Sequence, residues 1–338
     1  MSVSSPLWIS EADVVAMMDI GDATAALEKA LLEEARGDAK NMVKTHVAWG
    51  DGATLHAIGA VFPDEEFAGT KTWAHTKGDA TPLLILFDTE TGRLKAIIEA
   101  FALGQLRTAS ASGVATNLLA AKDADDFAMI GTGKQAMTQV AAVLAVRSIK
   151  RIRVFGSNAE RREQFAKRVK REFEIETIAG RSVAETVAGA SIITVATRAT
   201  EPILAAEMTA KGAHINAIGA IVPSRAEIAR DILERCGQIV VDSVPQAQKL
   251  SRELMDFFGA ADKEGWKRVR SLADLVSVGE SLDASGDLTL FKSLGMGISD
   301  LALGIELYRK ARTEGLGREF AQPEKATPRL RREVGQAV

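Results

Sequence analysis

A chain of 338 residues is longer than one hydrophobic core usually organises, so two domains are expected. With 46% hydrophobic and 26% charged residues and a net charge of -3, the composition is that of an ordinary globular protein and lacks the basic excess of a nucleic-acid binder. The single cysteine, Cys236, rules out an intrachain disulfide and a cysteine-based zinc cluster; beside Leu233 in a helical-looking stretch, it reads as a small packed side chain.

Met1 to Ser5 lack the charged and apolar blocks of a secretory leader, and no apolar run approaches the ~18 residues of a membrane span. A cytoplasmic protein with neither a membrane nor a nucleic acid as partner is therefore expected. Ser10 predicts a cap for a helix over Glu11–Met18, and Asp22 for a second helix from Ala23 to Ala35, stopped by Gly37. Lys44–Trp49 and Thr54–Val61 read as a hairpin about Asp51-Gly52. Gly69–Trp73, Pro82–Phe87 and Leu94–Glu99 follow as further strands, so this part is a largely antiparallel α+β layer. Phe101–Ala120, rich in Ala, Ser, Gly and Thr, is a helix suited to close packing.

Phe127–Ile130 is a short apolar run, followed at once by Gly131-x-Gly133-x-x-Ala136 and then by an apolar-periodic segment through Val146. This is the strand, tight turn and helix entry of a dinucleotide-binding unit. Gly131 makes the turn, Gly133 lets backbone N–H groups approach a pyrophosphate, and Ala136 packs the helix against its strand. The helix N-terminus favours the phosphates. Strands at Ile152–Phe155, Ile175–Ile178, Ser191–Ala196, Ala213–Gly219 and Gln238–Asp242 alternate with helical segments, and their apolar character suits burial on both faces. The fold class is therefore α/β: a Rossmann-type doubly wound parallel sheet plus an α+β substrate and dimerisation domain. The expected division is 1–119 and 313–338 for the substrate unit, and 120–312 for the nucleotide unit, with the last helix, Ile298–Arg312, and the tail returning towards the first. The basic tail, Lys325 to Arg332, reads as solvated.

No acid directly follows Val154-Phe155 where NAD-specific sheets place one; Ser157, Asn158 and Arg161 stand there instead. NADP(H) is the expected cofactor, with NAD(H) as the alternative; by the plain structural reading, Arg161 and Arg162 only solvate a helix face. In the first domain Lys71 lies in an apolar strand, Arg107 in a small-residue helix and Lys44 at a strand start. Charges in such surroundings are costly unless paired, and together they suit a carboxylate. His46 and His75 are expected to be sheet histidines, and four scattered histidines without ligand spacing give no metal site. Trp49, Trp73 and Phe62 are either pocket walls or core.

The pieces Gly69-Thr70-Lys71, Leu86–Gly92, Leu106-Arg107-Thr108-Ala109-Ser110-Ala111-Ser112, Ile130–Ala136, Gly212–Gly219 and Phe291–Gly295 with Asp300-Leu301-Ala302 occur in one order. In this the chain resembles the ornithine cyclodeaminase/mu-crystallin family over nearly its whole length. The resemblance implies a homodimer, with a small imino or amino acid bound at the domain cleft. Its carboxylate is held by Lys71 and Arg107, with Lys44 where many members carry an arginine. It implies cofactor contacts from Thr81, Thr108, Gln135, Thr197 and Ser293, alongside Gly131, Gly133, Lys134, Ala136, Ala196, Ile218 and Gly219. By the plain reading Thr81 and Ser293 are turn residues.

Cyclodeaminases carry an aspartate after the Asn-Ala-x-Gly strand, and here Ile221 stands in its place. The implied activity is then NAD(P)H-linked reduction of a ketimine carboxylate, with Lys71 and Arg107 at the reacting centre. The alternatives are an alanine-type amino-acid dehydrogenase, an ornithine cyclodeaminase, or a non-catalytic NADP(H)- or ligand-binding protein.

Overall fold

Two sheets carry the chain in the computed structural model, which describes residues 5–259, 262–279 and 287–331. Met1–Ser4 and the end of the expected 313–338 segment, from Arg332 on, lie outside the described residues. The first sheet runs through Lys40–Trp49, Ala53–Phe62, Phe67–His75, Leu83–Asp88 and Leu94–Glu99 as successive antiparallel neighbours. Leu7–Ile9 then adds in parallel, and Arg318–Glu319 closes that edge, so the chain's two ends share one sheet.

The second sheet is wholly parallel. Its order is Val269–Ser271, Cys236–Val241, Leu288–Lys292, His214–Ala217, Ile192–Val195, Asp126–Ile130, Arg151–Phe155 and Glu176–Ala179. From Asp126–Ile130 the chain winds outward through two strands, then returns to the other side at Ile192–Val195. That reversal opens a crevice at the carboxyl ends of the two central strands. Strands Ile192–Val195 and His214–Ala217 are buried throughout, as crossover helices on both faces require.

Local signals account for most element ends. Ser10 and Asp13 form a capping box at helix Glu11–Met17. The next helix, Ile20–Arg36, starts earlier than expected: Asp19 rather than Asp22 is its cap, accepting from the Asp22 N–H, and Gly37 ends it at φ 86°. Cys236 opens the strand Cys236–Val241 instead of sitting in a helix, because helix Arg230–Arg235 stops before it. It is buried, and burial pushes its thiol up to about 12.

Helix Gly297–Glu314, numbered within the expected 120–312 unit but expected to return towards the first domain, packs on the first sheet. Its Ile298, Leu301, Leu303 and Leu307 share a core with Phe62, Leu84, Leu86 and Ile98. Two glycines permit that approach. A Cβ on Gly297 would stand 1.8 Å from the Gly59 carbonyl oxygen, and one on Gly304 2.3 Å from Leu84 Cδ2. Helix Phe101–Leu119, buried from Thr108 to Thr116, runs between the two sheets. Gly113 lets it close on helix Ala136–Val146 near Ala142, and Thr116 accepts from Asn216 at 2.9 Å.

The carboxyl end of helix Phe101–Leu119 is stopped by a buried arginine. Arg147 donates to the carbonyl oxygens of Thr116, Asn117, Ala120 and Ala121 at 2.8–3.0 Å, bracing the last turn and the two residues beyond it with a positive charge at the helix's negative end. Arg147→Ala should cost about 2–4 kcal/mol, since several charge-assisted bonds are lost and the Thr116 and Ala120 acceptors stay buried. A thermal midpoint equal to that of the unchanged protein would refute this account of the helix end.

Candidate active site between the two sheets

Lys71 sits on the inner face of strand Phe67–His75 and is 4% exposed. Its Nζ donates to Asp300 Oδ1, and Arg107 Nε lies 3.3 Å from the same oxygen. Asp300 is fully buried in the first turn of helix Gly297–Glu314. Gly104, one turn before Arg107, leaves room for the ammonium: a Cβ there would lie 3.9 Å from Lys71 Nζ. Burial pulls the Lys71 ammonium down to about 8, with Arg107 and Lys44 adding to the fall and Asp300 opposing it.

Lys44 is half-buried in mid-strand, where the register against Ala53–Phe62 shifts between Met42 and Thr45, and not at a strand start. Burial and Arg107 lower its pKa, while Asp242 and Asp300 raise it. The three cations therefore act on one another around Asp300.

The histidines are not scattered as the sequence suggested. His46 stands opposite His56, and His56 opposite Trp73, so all three share the Lys71 face. Trp73 stacks on His56 at 4.7 Å and His56 on His46 at 5.5 Å. Burial, then Lys44, His46 and His75, push His56 down to about 4, leaving it neutral at pH 7. Among the described residues no three His, Cys, Asp or Glu side chains converge as metal ligands. Trp49 is exposed and Phe62 is core.

Arg107 also touches the second sheet. A Cβ on Gly295, which has φ +89°, would lie 3.1 Å from Arg107 Nη1. Gly295 follows strand Leu288–Lys292, so the cations face the carboxyl edge of the parallel sheet. On that edge Gly131, at φ +114°, passes so near strand Ile192–Val195 that a Cβ would meet the Ala196 oxygen at 2.3 Å. Nothing lies within 4 Å of a Cβ built on Gly133, leaving a cradle for a phosphate group above helix Ala136–Val146. Ala136 is buried against its strand, and a buried Gln135 oxygen has no partner among the described residues. Lys134 reaches from the turn to the Phe101 ring, 5.1 Å away, at the start of the arginine helix.

Ser157 and Arg161 are exposed after strand Arg151–Phe155. Asn158 is committed as a helix cap, accepting from Arg161 N at 2.9 Å, and Arg162 donates to the Gly156 oxygen at 2.8 Å. Ala196, Thr197, Ile218 and Gly219 follow the next two strands. The donors of Thr197 and the Gly219 N–H turn inward onto Glu227. Ser293 donates to Asp242, and Thr108 to the Gly104 oxygen of its own helix. Thr81 is exposed in the segment before strand Leu83–Asp88.

A profile of the ornithine cyclodeaminase/mu-crystallin family matches residues 6–315. The chain belongs to this family. A Delta(1)-pyrroline-2-carboxylate reductase of Bacillus cereus is 30% identical over 275 residues, 79% of this chain and 81% of that one. The ketimine reductase mu-crystallin of Mus musculus is 33% identical over 225 residues, 67% and 68% of the two chains. The structure of Thermococcus litoralis Delta(1)-pyrroline-2-carboxylate reductase in complex with NADH and L-proline superposes with a TM-score of 0.86. It is 27% identical and covers 93% of this chain and 100% of that one.

Within this family member, Ile221 is half-buried beyond strand His214–Ala217, so no acid stands at that position. Five buried ionisable residues escaped sequence reading as charges: Asp300, Asp242, Glu227 and the Lys292–Glu253 pair. Asp300 carried a faint signal, a lone acid in the apolar run Gly297–Leu303, but first-turn acids also serve the helix dipole. Asp242 accepts from Ser293 Oγ and from the Leu294 and Gly295 N–H groups at 2.6–3.0 Å, shaping the turn against which Arg107 rests. Asp300→Asn removes the one group that raises the Lys71 pKa, which should then fall below 8 by about one unit or more. The pH dependence of Lys71 acetylation, followed by mass spectrometry, checks this; an unmoved or raised midpoint would contradict it.

Proposed function

We propose that this chain is an NAD(P)H-dependent reductase that converts a ketimine carboxylate, such as a cyclic 2-imino acid, to the amino acid. The observation that carries this reading is the Lys71–Asp300–Arg107 cluster, in which Lys71 and Asp300 are buried beside the first sheet while the half-buried Arg107 abuts Gly295 at the exit of the parallel one. The names of the reductase relatives support it.

The glycine turn, the helix entry at Ala136, and Ser157 with Arg161 hold the cofactor. A reduced nicotinamide, when bound, supplies a hydride to the imine carbon. Arg107 and Lys44 grip the substrate carboxylate, Arg107 through its forked donors. Lys71 stands beside them with an ammonium near 8, mostly protonated at pH 7 yet able to release its proton to the imine nitrogen and regain one from water. Asp300 keeps it charged. With no acid on strand Arg151–Phe155's exit and Arg161 exposed there, NADP(H) is preferred over NAD(H).

Ile221 can neither accept a proton from a substrate amine nor neutralise a cationic one, so cyclodeamination is disfavoured. An alanine-type dehydrogenase would need ammonia as co-substrate, and a binding protein without turnover would not need a buried lysine near neutrality. NADPH oxidation with a preformed cyclic imine, and not with pyruvate plus ammonia, is the expected result; no oxidation with any imine would refute the reading. Arg107→Ala should lower kcat/KM by about 2–4 kcal/mol of transition-state binding. The rate should fall above about pH 8, as Lys71 loses its proton.

The functional unit is a homodimer. Val47 and Leu55 face each other on the outer side of the first sheet, 59% and 47% exposed, beside the unpaired edge of strand Lys40–Trp49. An apolar face at an open edge is suited to a second copy. The pair Val47→Glu and Leu55→Glu should yield monomers by light scattering, whereas an unchanged mass would place the interface elsewhere.

A further inference from the structure

We propose that Glu227 is a positioning residue that shapes the nicotinamide end of the cofactor cleft; this rests on the cofactor reading above. The Ile203 and Leu204 N–H groups donate to the Glu227 carbonyl oxygen at 2.9 and 3.1 Å, setting the residue beside the loops that leave strands Ile192–Val195 and His214–Ala217. Its carboxylate is fully buried and accepts four hydrogen bonds. Oε1 takes the Thr197 N–H at 2.6 Å and the Thr197 hydroxyl at 2.8 Å; Oε2 takes the N–H groups of Gly219 at 2.7 Å and Ala220 at 3.0 Å. Only glycine fits at 219, since a Cβ would lie 2.4 Å from Glu227 Oε1 and 2.2 Å from the Thr197 oxygen.

The clasp extends to a third strand. Glu253 Oε1 accepts the Glu227 N–H at 3.0 Å and lies 3.2 Å from Lys292 Nζ, a fully buried ammonium ending strand Leu288–Lys292. Two buried carboxylates and one ammonium thus tie together the exits of three adjacent strands. Apolar residues of similar volume would hold a core at least as well, so the ionic set is a costly way to achieve stability alone. What it achieves is placement. The two loops lie on the side of the switch point away from Ser157 and Arg161, where a dinucleotide crossing the sheet edge puts its nicotinamide half. Glu227 also draws the amide donors of residues 197, 219 and 220 inward, so this part of the edge offers no amide cradle for an anion and suits an uncharged ring.

The experiment compares two ligands on Glu227→Gln: the reduced dinucleotide, followed by its fluorescence, and ADP-ribose, which carries the adenosine half without the nicotinamide, followed by calorimetry. Gln keeps the shape but turns an amide donor towards N–H groups. The expected result is dinucleotide binding weaker by about tenfold to a hundredfold, with ADP-ribose changed by less than about twofold. Thr197→Val deletes one of the four bonds and should show the same selectivity with a smaller loss, which keeps the test valid if the Gln variant does not fold. Equal weakening of both ligands, or of neither, overturns the proposal while leaving the cofactor reading intact. An unchanged protein that binds neither ligand overturns both.

Discussion

One carboxylate holds the buried cation cluster together. Lys71 and Arg107 reach Asp300 from a strand and a helix far away in sequence, and Lys44 approaches from a further strand. Three cations in partial burial repel one another by several kcal/mol at effective dielectric constants near 20, so an anion among them is needed for the first sheet to close. Asp300 is delivered by helix Gly297–Glu314, which reaches the sheet only because Gly297 and Gly304 have no side chain. Close packing therefore sets the electrostatics. Asp300, with Asp242 farther off, faces three cations, and the surplus positive charge is what the proposed carboxylate substrate would balance.

The same face of the first sheet carries aromatic rings. Outward from Lys71 it carries Trp73 and the neutral His56, with His46 stacked beyond, and Ile221 supplies no acid from the other side. A neutral ring would find flat apolar surface. Reduction of an imine asks for little more than a carboxylate grip, a hydride and one proton, and the buried lysine near neutrality matches that short requirement.

Much of the parallel sheet's carboxyl edge was legible because its signals are local. Gly131, at φ +114°, makes the turn that the spacing announces, Gly133 leaves open space beside it, and the apolar strands after them are buried on both faces. The Ser10 cap and Gly37 stop are of the same kind. Where a local signal had a rival three residues away, as with Asp19 and Asp22, the boundary moved. Cys236 misled because its helix ends one residue earlier, and Thr197 and Gly219 proved to spend their donors inside the protein on Glu227. The histidines needed strand register: His46, His56 and Trp73 meet only because antiparallel pairing places them opposite one another.

By itself, the amino-acid order determined the alternation of strands and helices, the glycine turn, and which cations stood in surroundings too apolar to be idle. These are properties of short segments, in which periodicity, caps and turns act over a few bonds. Tertiary structure alone decided which anion those cations share, how closely the helix after Met296 approaches the first sheet, and where Glu227 and Lys292 spend their charge. Such pairings join residues hundreds of positions apart. A buried acid and a surface acid are the same letter until packing removes one of them from water.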